Sequence, residues 1–297
     1  MKNVILSLSC TMLVLIGSGC GEQPEKKPEV EKNSEKEVAP EAISAGGNVL
    51  KLNNQLFSIP SPIQTAILIR KQKLEFNSDL VSDLSQVDSY LSKNKQALNL
   101  GVLGSDLAYL SNYNDAKRSL SFLSDIEKLA EKLDIKANID PSLIKRFNEN
   151  IDIPDSLNVI NADFYKNAER HLKDNMQNEI SSLILVGGWV ESLHFATHNA
   201  SNEFLRSRIG EQKSTVGNVK SIMKNFKDDL GKEILAELEE LERAFGKLNV
   251  NYEFVKPITD PSSKTTYIKS KSEVELSDSE LERIKSSVTK IRTLIIS

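Results

Sequence analysis

An all-α fold, a single-domain bundle of about eight helices with a short extended or hairpin excursion before the last helix, is what this sequence predicts. Three observations carry that expectation. Apolar residues recur at helical spacing from Leu50 almost to the C-terminus. Helix-start signals punctuate the run, at Pro60 and Pro62, at Asp140 followed by Pro141, and at Ser277 with Glu280. No repeat of fixed period is present, which disfavours a solenoid.

The first helix opens at Pro60 and Pro62, because proline suits a first turn and restricts the residue before it; it runs through Ile63, Ala66, Ile67 and Leu74. A second is expected from about Asp79 to Leu91. The segment GVLGSDLAYLSNYND (101–115) starts a third, whose continuation carries Ala116, Leu120, Leu123, Ile126, Ala130 and Leu133. Pro141 leads a helix with Leu143, Ile144 and Phe147, and another spans about Asp155 to Asn175 through Leu157, Ile160, Phe164, Ala168 and Leu172. Residues 179–205 form the most apolar helix, and 213–245 give one or two more. From Lys247 to Lys271 the period breaks: NYEFVKPI and TTYIKSK alternate around DPSS, the pattern of a hairpin. Ser277 and Glu280 then form a capping box for the last helix, ending near Ile296.

Ahead of the domain lies an address. Residues 1–19 carry Lys2, an apolar stretch from Val4 to Ile16, and then Gly17, Ser18 and Gly19 immediately before Cys20. That is the layout of a secretory signal, too short and wrongly flanked for a stable membrane span. The ending resembles a bacterial lipobox, in which the cysteine becomes the acylated first residue, although Gly17 stands where leucine is usual. The expected division is a lipoprotein signal peptide over 1–19, a lipidated cysteine and tether over 20–48, and a helical domain over 49–297. Residues 21–46 hold three prolines, seven glutamates, four lysines and no aromatic residue. Such a segment buries too little apolar surface to offset chain ordering, so a disordered tether spanning roughly 25–30 Å is expected. Acidic residues soon after the cysteine also resemble the surface-export signals of some Bacteroidetes lipoproteins.

Composition narrows the functional classes. The chain has 297 residues and a net charge of −4 with both signs interspersed, so no basic surface for nucleic acid is expected. Its two cysteines, Cys10 and Cys20, both lie in the first 20 residues. A mature domain starting at Cys20 therefore has no disulfide, no thiolate metal site and no cysteine nucleophile apart from the acylated residue. The expected partner is the lipid bilayer, reached through acylated Cys20, with an envelope protein partner as a further expectation; the expected address is the outer membrane.

Two constellations merit attention. Along the apolar helix, Ile180, Ile184, Gly187, Glu191, His194 and His198 fall within about 80° of one another. Glu191–His194 is a Glu-x-x-His step and His194–His198 an i, i+4 pair, the spacing with which helical bundles hold zinc or a similar ion. The competing expectation is no cofactor: a helix running from core to surface, with the histidines near its wet end and Glu191 paired to an arginine. His171 lies elsewhere, at the edge of its own apolar stripe. Gly187 and Gly188 cost helix stability unless close backbone approach demands them, and tight helix–helix contact is the expected reason. Trp189 points away from Glu191, so this helix is apolar nearly all round and central.

The second constellation is a buried polar node. Arg70 falls within about 60° of Ile63, Ala66, Ile67 and Leu74, so it sits on the inward stripe of the first helix. Glu191 lies on the stripe of the central helix, and Asp106 beside Leu103 and Leu107. Charges on apolar faces are costly unless paired, so Arg70 is expected to meet Glu191, Asp106 or both. Inside a cavity, that node would serve a small-molecule binder. Tyr109 and Tyr113, one turn apart, are expected to fill packing gaps. No catalytic set of residues assembles from the sequence.

GVLGSDLAYLSNYND, RFNENID, GGWVESLHFATHN and the closing TTYIKSKSEVELSDSELERI with IRTLI together resemble a family of uncharacterised Bacteroidetes lipoproteins, from about Leu50 to the end. The resemblance implies a helical, lipid-anchored envelope protein and no active site.

Overall fold

The structure, a computed structural model, describes residues 48–52, 55–135, 141–175, 177–260, 265–267 and 271–297. The expected signal peptide, Cys20 and the expected tether lie outside these described residues, as does Asp140. In chain order come β1 (Asn48–Leu52), β2 (Gln55–Ile59), α1 (Pro62–Lys71), two 3-10 segments (Ser78–Leu80 and Leu84–Ser89), α2 (Lys93–Asn112) and α3 (Ala116–Lys132). They are followed by α4 (Pro141–Glu149), α5 (Pro154–Asp174), α6 (Asn178–His198), α7 (Glu203–Glu211), α8 (Lys213–Met223) and α9 (Asp229–Gly246). Then come β3 (Asn249–Glu253), β4 (Ile258–Asp260), β5 (Thr265–Tyr267), β6 (Lys271–Glu275) and α10 (Asp278–Ile296). The fold is an all-α bundle carrying small antiparallel ladders, β1 with β2, β3 with β6 and β4 with β5.

Helix α6 is the axis of the bundle. It packs against α2, α1, α5, α7 and α10, and the β1–β2 hairpin also contacts it. It is long and apolar enough to cross a membrane, yet 94% of its most apolar window is buried inside the fold, as befits a core helix. The α2–α6 contact is unusually close because three glycines remove the side chains between the backbones. A Cβ on Gly187 would lie 1.9 Å from the Leu98 carbonyl oxygen, and one on Gly101 would lie 2.0 Å from that of Ile184. Gly188 faces the Pro62 ring in the same seam. The glycine pair thus serves close approach, and the Ser105 hydroxyl crosses the seam to donate to the Gly188 carbonyl at 3.1 Å.

The C-terminal helix is clasped by α2 and the segment before it. A helix end leaves carbonyls without intrahelical donors. Here the Asn99 amide donates to the Ile295 carbonyl at 2.7 Å, and the Tyr90 hydroxyl to that of Ile296 at 3.0 Å. The Ser277–Glu280 capping box closes the other end of α10. Around α1 a second apolar cluster gathers Ile63, Ala66, Ile69, Tyr109 and Phe195, and the Tyr109 and Phe195 rings stack with centroids 4.4 Å apart.

Several expectations need correction. Residues 79–91 form no α-helix: Asn77 and Asp83 accept from the backbone N–H of Asp79 and Ser85, and these local bonds hold two short 3-10 segments. The helix expected to continue through 101–133 breaks at Asn114, which takes a left-handed φ of 57°, and Asp115 caps a new start by accepting from Arg118 N–H. The apolar helix stops at His198, and Asn202 caps α7. The β1–β2 hairpin, with Leu50 opposite Phe57, is a further departure from a helical start.

Candidate functional site: a buried polar node

Four segments bring polar groups into the core. From α10 comes Arg292, from α6 Glu191 and His194, from α2 Asp106, and from the loop between the 3-10 segments Ser82. The Arg292 guanidinium is bidentate on Glu191: Nε donates to Oε2 at 2.7 Å and Nη2 to Oε1 at 2.9 Å. Nη2 also donates to the Ser82 hydroxyl at 2.9 Å and to the Leu80 carbonyl at 3.1 Å. The Glu191 side chain is 0% exposed and that of Arg292 is 13% exposed, so this is a desolvated pair, in which each partner depends on the other.

Asp106 completes the node. It is fully buried, and its Oδ2 accepts from the Ser82 N–H at 3.3 Å. Its Oδ1 meets no donor among the described residues, but the Glu191 carboxylate lies within hydrogen-bond reach. Two carboxyl groups with a single cation cannot both stay ionised at such burial. Burial first, and then the negative charge of Glu191, hold the Asp106 carboxyl well above the usual carboxylate range; Arg292 and Ser82 offset this only in part. Burial and Glu191 thus favour the protonated form of Asp106 beside the Glu191–Arg292 pair.

Beside it, burial lowers the His194 pKa to about 2, with the Arg292 charge and then His198 as further causes. His194 is a neutral imidazole, since the Leu80 backbone opposes the lowering only in part. The His198 ring lies 4.4 Å from it, centroid to centroid, at the exposed end of α6, with Nδ1 2.8 Å from the His194 carbonyl oxygen. Partial burial is the first cause lowering its pKa too.

The structure therefore brings Glu191 and Asp106 together, with His194 within the influence of the Arg292 charge and the His198 ring against that of His194. It does not bring Arg70. That residue is exposed in the last turn of α1, whose buried face is Pro62, Ile63, Ala66 and Ile69. The inward stripe drawn through Leu74 assumed continued helix, but α1 ends at Lys71 and Lys73 turns left-handed with φ 56°. Arg70 and Lys71 sit where cations complement the helix dipole. The arginine that pairs with Glu191 is Arg292, a residue the sequence reasoning passed over.

As a metal centre the set is poorly arranged. Both Glu191 oxygens already accept from Arg292, and His194 faces that same cation. Among the described residues, no group of three or more His, Cys, Asp or Glu side chains is placed to hold an ion. His171 lies on α5, with its backbone carbonyl accepting from the Asn175 side chain. Tyr109 and Tyr113 pack with Phe76, their ring centroids 5.5 and 5.1 Å from it, and the Tyr113 hydroxyl donates to the Leu74 carbonyl at 2.7 Å.

Comparison with known proteins adds no assignment: no family model matches the chain, and neither the curated proteins nor the solved structures compared gave a match. What the node does chemically follows from its geometry. It has a satisfied ion pair and a buried acid held toward its protonated form. It joins α2, α6, α10 and the loop at Ser82 through polar contacts.

Proposed function

We propose that the chain is an exported bacterial lipoprotein, acylated at Cys20 and held at the cell envelope, in the outer membrane, with a helical domain that serves as a non-catalytic binding or structural module. The observation that carries this reading is the placement of Cys20: it follows an apolar stretch and three small residues, and no cysteine occurs after it. Two or three acyl chains on one thiol give near-permanent attachment, since each buried methylene contributes about 0.8 kcal/mol. The proline- and glutamate-rich segment 21–46 suits a spacer that keeps the domain clear of lipid headgroups. A module role is supported by the node, whose polar groups are turned onto one another. The module's partner would be another envelope protein or a small ligand.

A metal-carrying role for Glu191, His194 and His198, with zinc or a similar ion, has less support, because Arg292 occupies the carboxylate. The anchor reading is tested in the host organism by Cys20→Ser. The variant is expected to leave the membrane fraction, and a variant that stays there with its leader removed contradicts the reading.

A further inference from the structure

Between α9 and α10 the chain forms a nested hairpin, β3 with β6 enclosing β4 with β5. Its root is docked: β6 packs on α7, where a Cβ on Gly210 would lie 2.3 Å from the Val274 side chain. Further along, from Glu253 to Thr259, every residue is exposed except half-buried Val255. Phe254 is 69% exposed and Ile258 56%, and Lys256 is the single charge from Phe254 to Thr259. One exposed apolar side chain is ordinary, but an aromatic and an aliphatic residue flanking the same short link make a patch that suits an apolar partner. Short contacts join the root of this hairpin to the point where the chain enters the fold. Asn48 pairs with Ile59 in the first ladder, and Pro62, three residues on, lies against Gly188. The neighbouring Trp189 donates to Gln212 at 3.0 Å, two residues beyond Gly210.

The length of chain before Asn48 points to the occupant. On the lipoprotein reading 48 − 20 = 28 positions separate the acylated cysteine from the fold, and a coil of that length spans roughly 25–30 Å. A fold of about 250 residues is roughly 45 Å across. The tether is therefore shorter than the domain, and the side by which the chain enters is kept nearer the lipid than the far side. We propose that the hairpin docks on the bilayer itself, with Phe254 and Ile258 entering the headgroup–acyl boundary and Lys256 meeting anionic headgroups between them. Apolar side chains of this kind settle at that boundary, and a lysine lays its stem on apolar neighbours while its head stays with the polar groups. The spacer still holds the bundle clear of the headgroups; the hairpin is the part that reaches back. The proposal rests on the lipoprotein reading for the nearness of the bilayer, and adds which face of the domain meets it.

The test supplies the anchor chemically, so that its failure and that of the lipoprotein reading are separate results. In the chain from position 20, Cys20 is the one thiol. It is coupled to a maleimide-bearing phospholipid in vesicles of four parts phosphatidylcholine to one part phosphatidylglycerol. Emission from Phe254→Trp is compared with that from Leu91→Trp, with buried Trp189 of the parent giving the baseline and the check on folding. Leu91 is 88% exposed but lies near the opposite end of α9: Asn94 donates to Asp228, the residue capping that helix, at 3.0 Å. The 18 residues of α9 then run about 27 Å before the hairpin begins. Brominated acyl chains are expected to quench the Phe254→Trp chain and to leave the Leu91→Trp chain unquenched. Ile258→Asp, added to Phe254→Trp, should abolish that quenching. Lys256→Gln in the same background should weaken docking about fivefold on these vesicles, the factor one basic residue contributes near an anionic surface, and leave it unchanged on phosphatidylcholine alone. No quenching at position 254, or equal quenching at 254 and 91, would overturn the proposal. Docking that survives both Ile258→Asp and Lys256→Gln undiminished would overturn it too. So would a blue shift of the Phe254→Trp emission that appears without lipid and grows with protein concentration, since it would give the patch to a second copy of the chain.

Discussion

Replacing Asp106 by Asn should make the protein more stable at neutral pH, and the gain should depend on pH in a defined way. In the fold Asp106 keeps its proton because burial and Glu191 both oppose its charge. In the unfolded chain it ionises with a pKa of about 3.9. A folded pKa above the unfolded one means that the contribution to stability is fully present below about pH 4 and is lost as pH rises toward the folded value. Across that window the loss approaches about 1.4 kcal/mol per pH unit, one proton's worth, and it stops at the folded value. Asn carries no charge in either state, can donate to Glu191 as the acid hydroxyl does, and can still accept from Ser82 N–H. The difference in unfolding free energy between Asp106→Asn and the parent should therefore rise linearly from about pH 4, with every other titration cancelling between the two profiles. His194 supplies an internal check of opposite sign. Its pKa, lowered to about 2, means a contribution present above about pH 6.5 and lost as pH falls. In the parent, between about pH 4 and 6.5, the His194 and Asp106 slopes oppose each other, so Asp106→Asn should uncover a steeper loss toward acid. Urea unfolding followed by emission of Trp189, the chain's one tryptophan and only 2% exposed, reads both profiles. Parallel pH profiles for the two proteins, or a variant destabilised at pH 7, would refute the neutral-acid account.

Other expected outcomes follow from the same geometry. Arg292→Met should cost about 3–5 kcal/mol, because it leaves Glu191 buried without its cation, whereas Glu191→Gln should cost less, since Asp106 can then ionise and take over Arg292; urea titrations of both variants decide it. Gly187→Ala should destabilise by at least the ~1–3 kcal/mol typical of overpacking, because the new Cβ would meet the Leu98 backbone rather than a movable side chain. Gly217→Ala on α8, where nothing lies within 4 Å of the added Cβ, should instead stabilise by up to about 1 kcal/mol, and thermal melts of the pair test the contrast. Elemental analysis of protein made without added ions should find well under one equivalent of zinc; near-stoichiometric zinc that His194→Ala removes would restore the metal reading.

Much of the architecture was legible because single-faced helices write their period into the sequence. α5 and α10 fall where apolar spacing and start signals put them, and the Ser277–Glu280 box is formed as expected. Legibility failed where local polar bonds compete with helix. In the stretch Asn77–Ser89, short acceptors hold 3-10 segments, and at Asn114–Asp115 a left-handed residue followed by a cap splits one apparent helix into two. The paired asparagines at 53–54, set between two apolar runs, were an available turn signal for the β1–β2 hairpin. In the site, Glu191 and Asp106 were readable as charges amid apolar residues. Their cation was misassigned because the Arg70 stripe was projected past the end of α1. Arg292 could have been found by the same wheel: at 100° per residue it falls about 40° from Val288 and about 20° from Leu281, both buried. The upward push on the Asp106 carboxyl was not legible at all, since it depends on which two acids share one arginine.

The central claim, a lipid-anchored envelope protein, is tested most directly at its first residue. Protein extracted from the host's membranes, digested and analysed by mass spectrometry, should yield an N-terminal peptide that begins at Cys20 and carries a diacylglyceryl group on the sulfur. A chain that retains Met1, or one cleaved at another position with the Cys20 thiol free, would contradict the account.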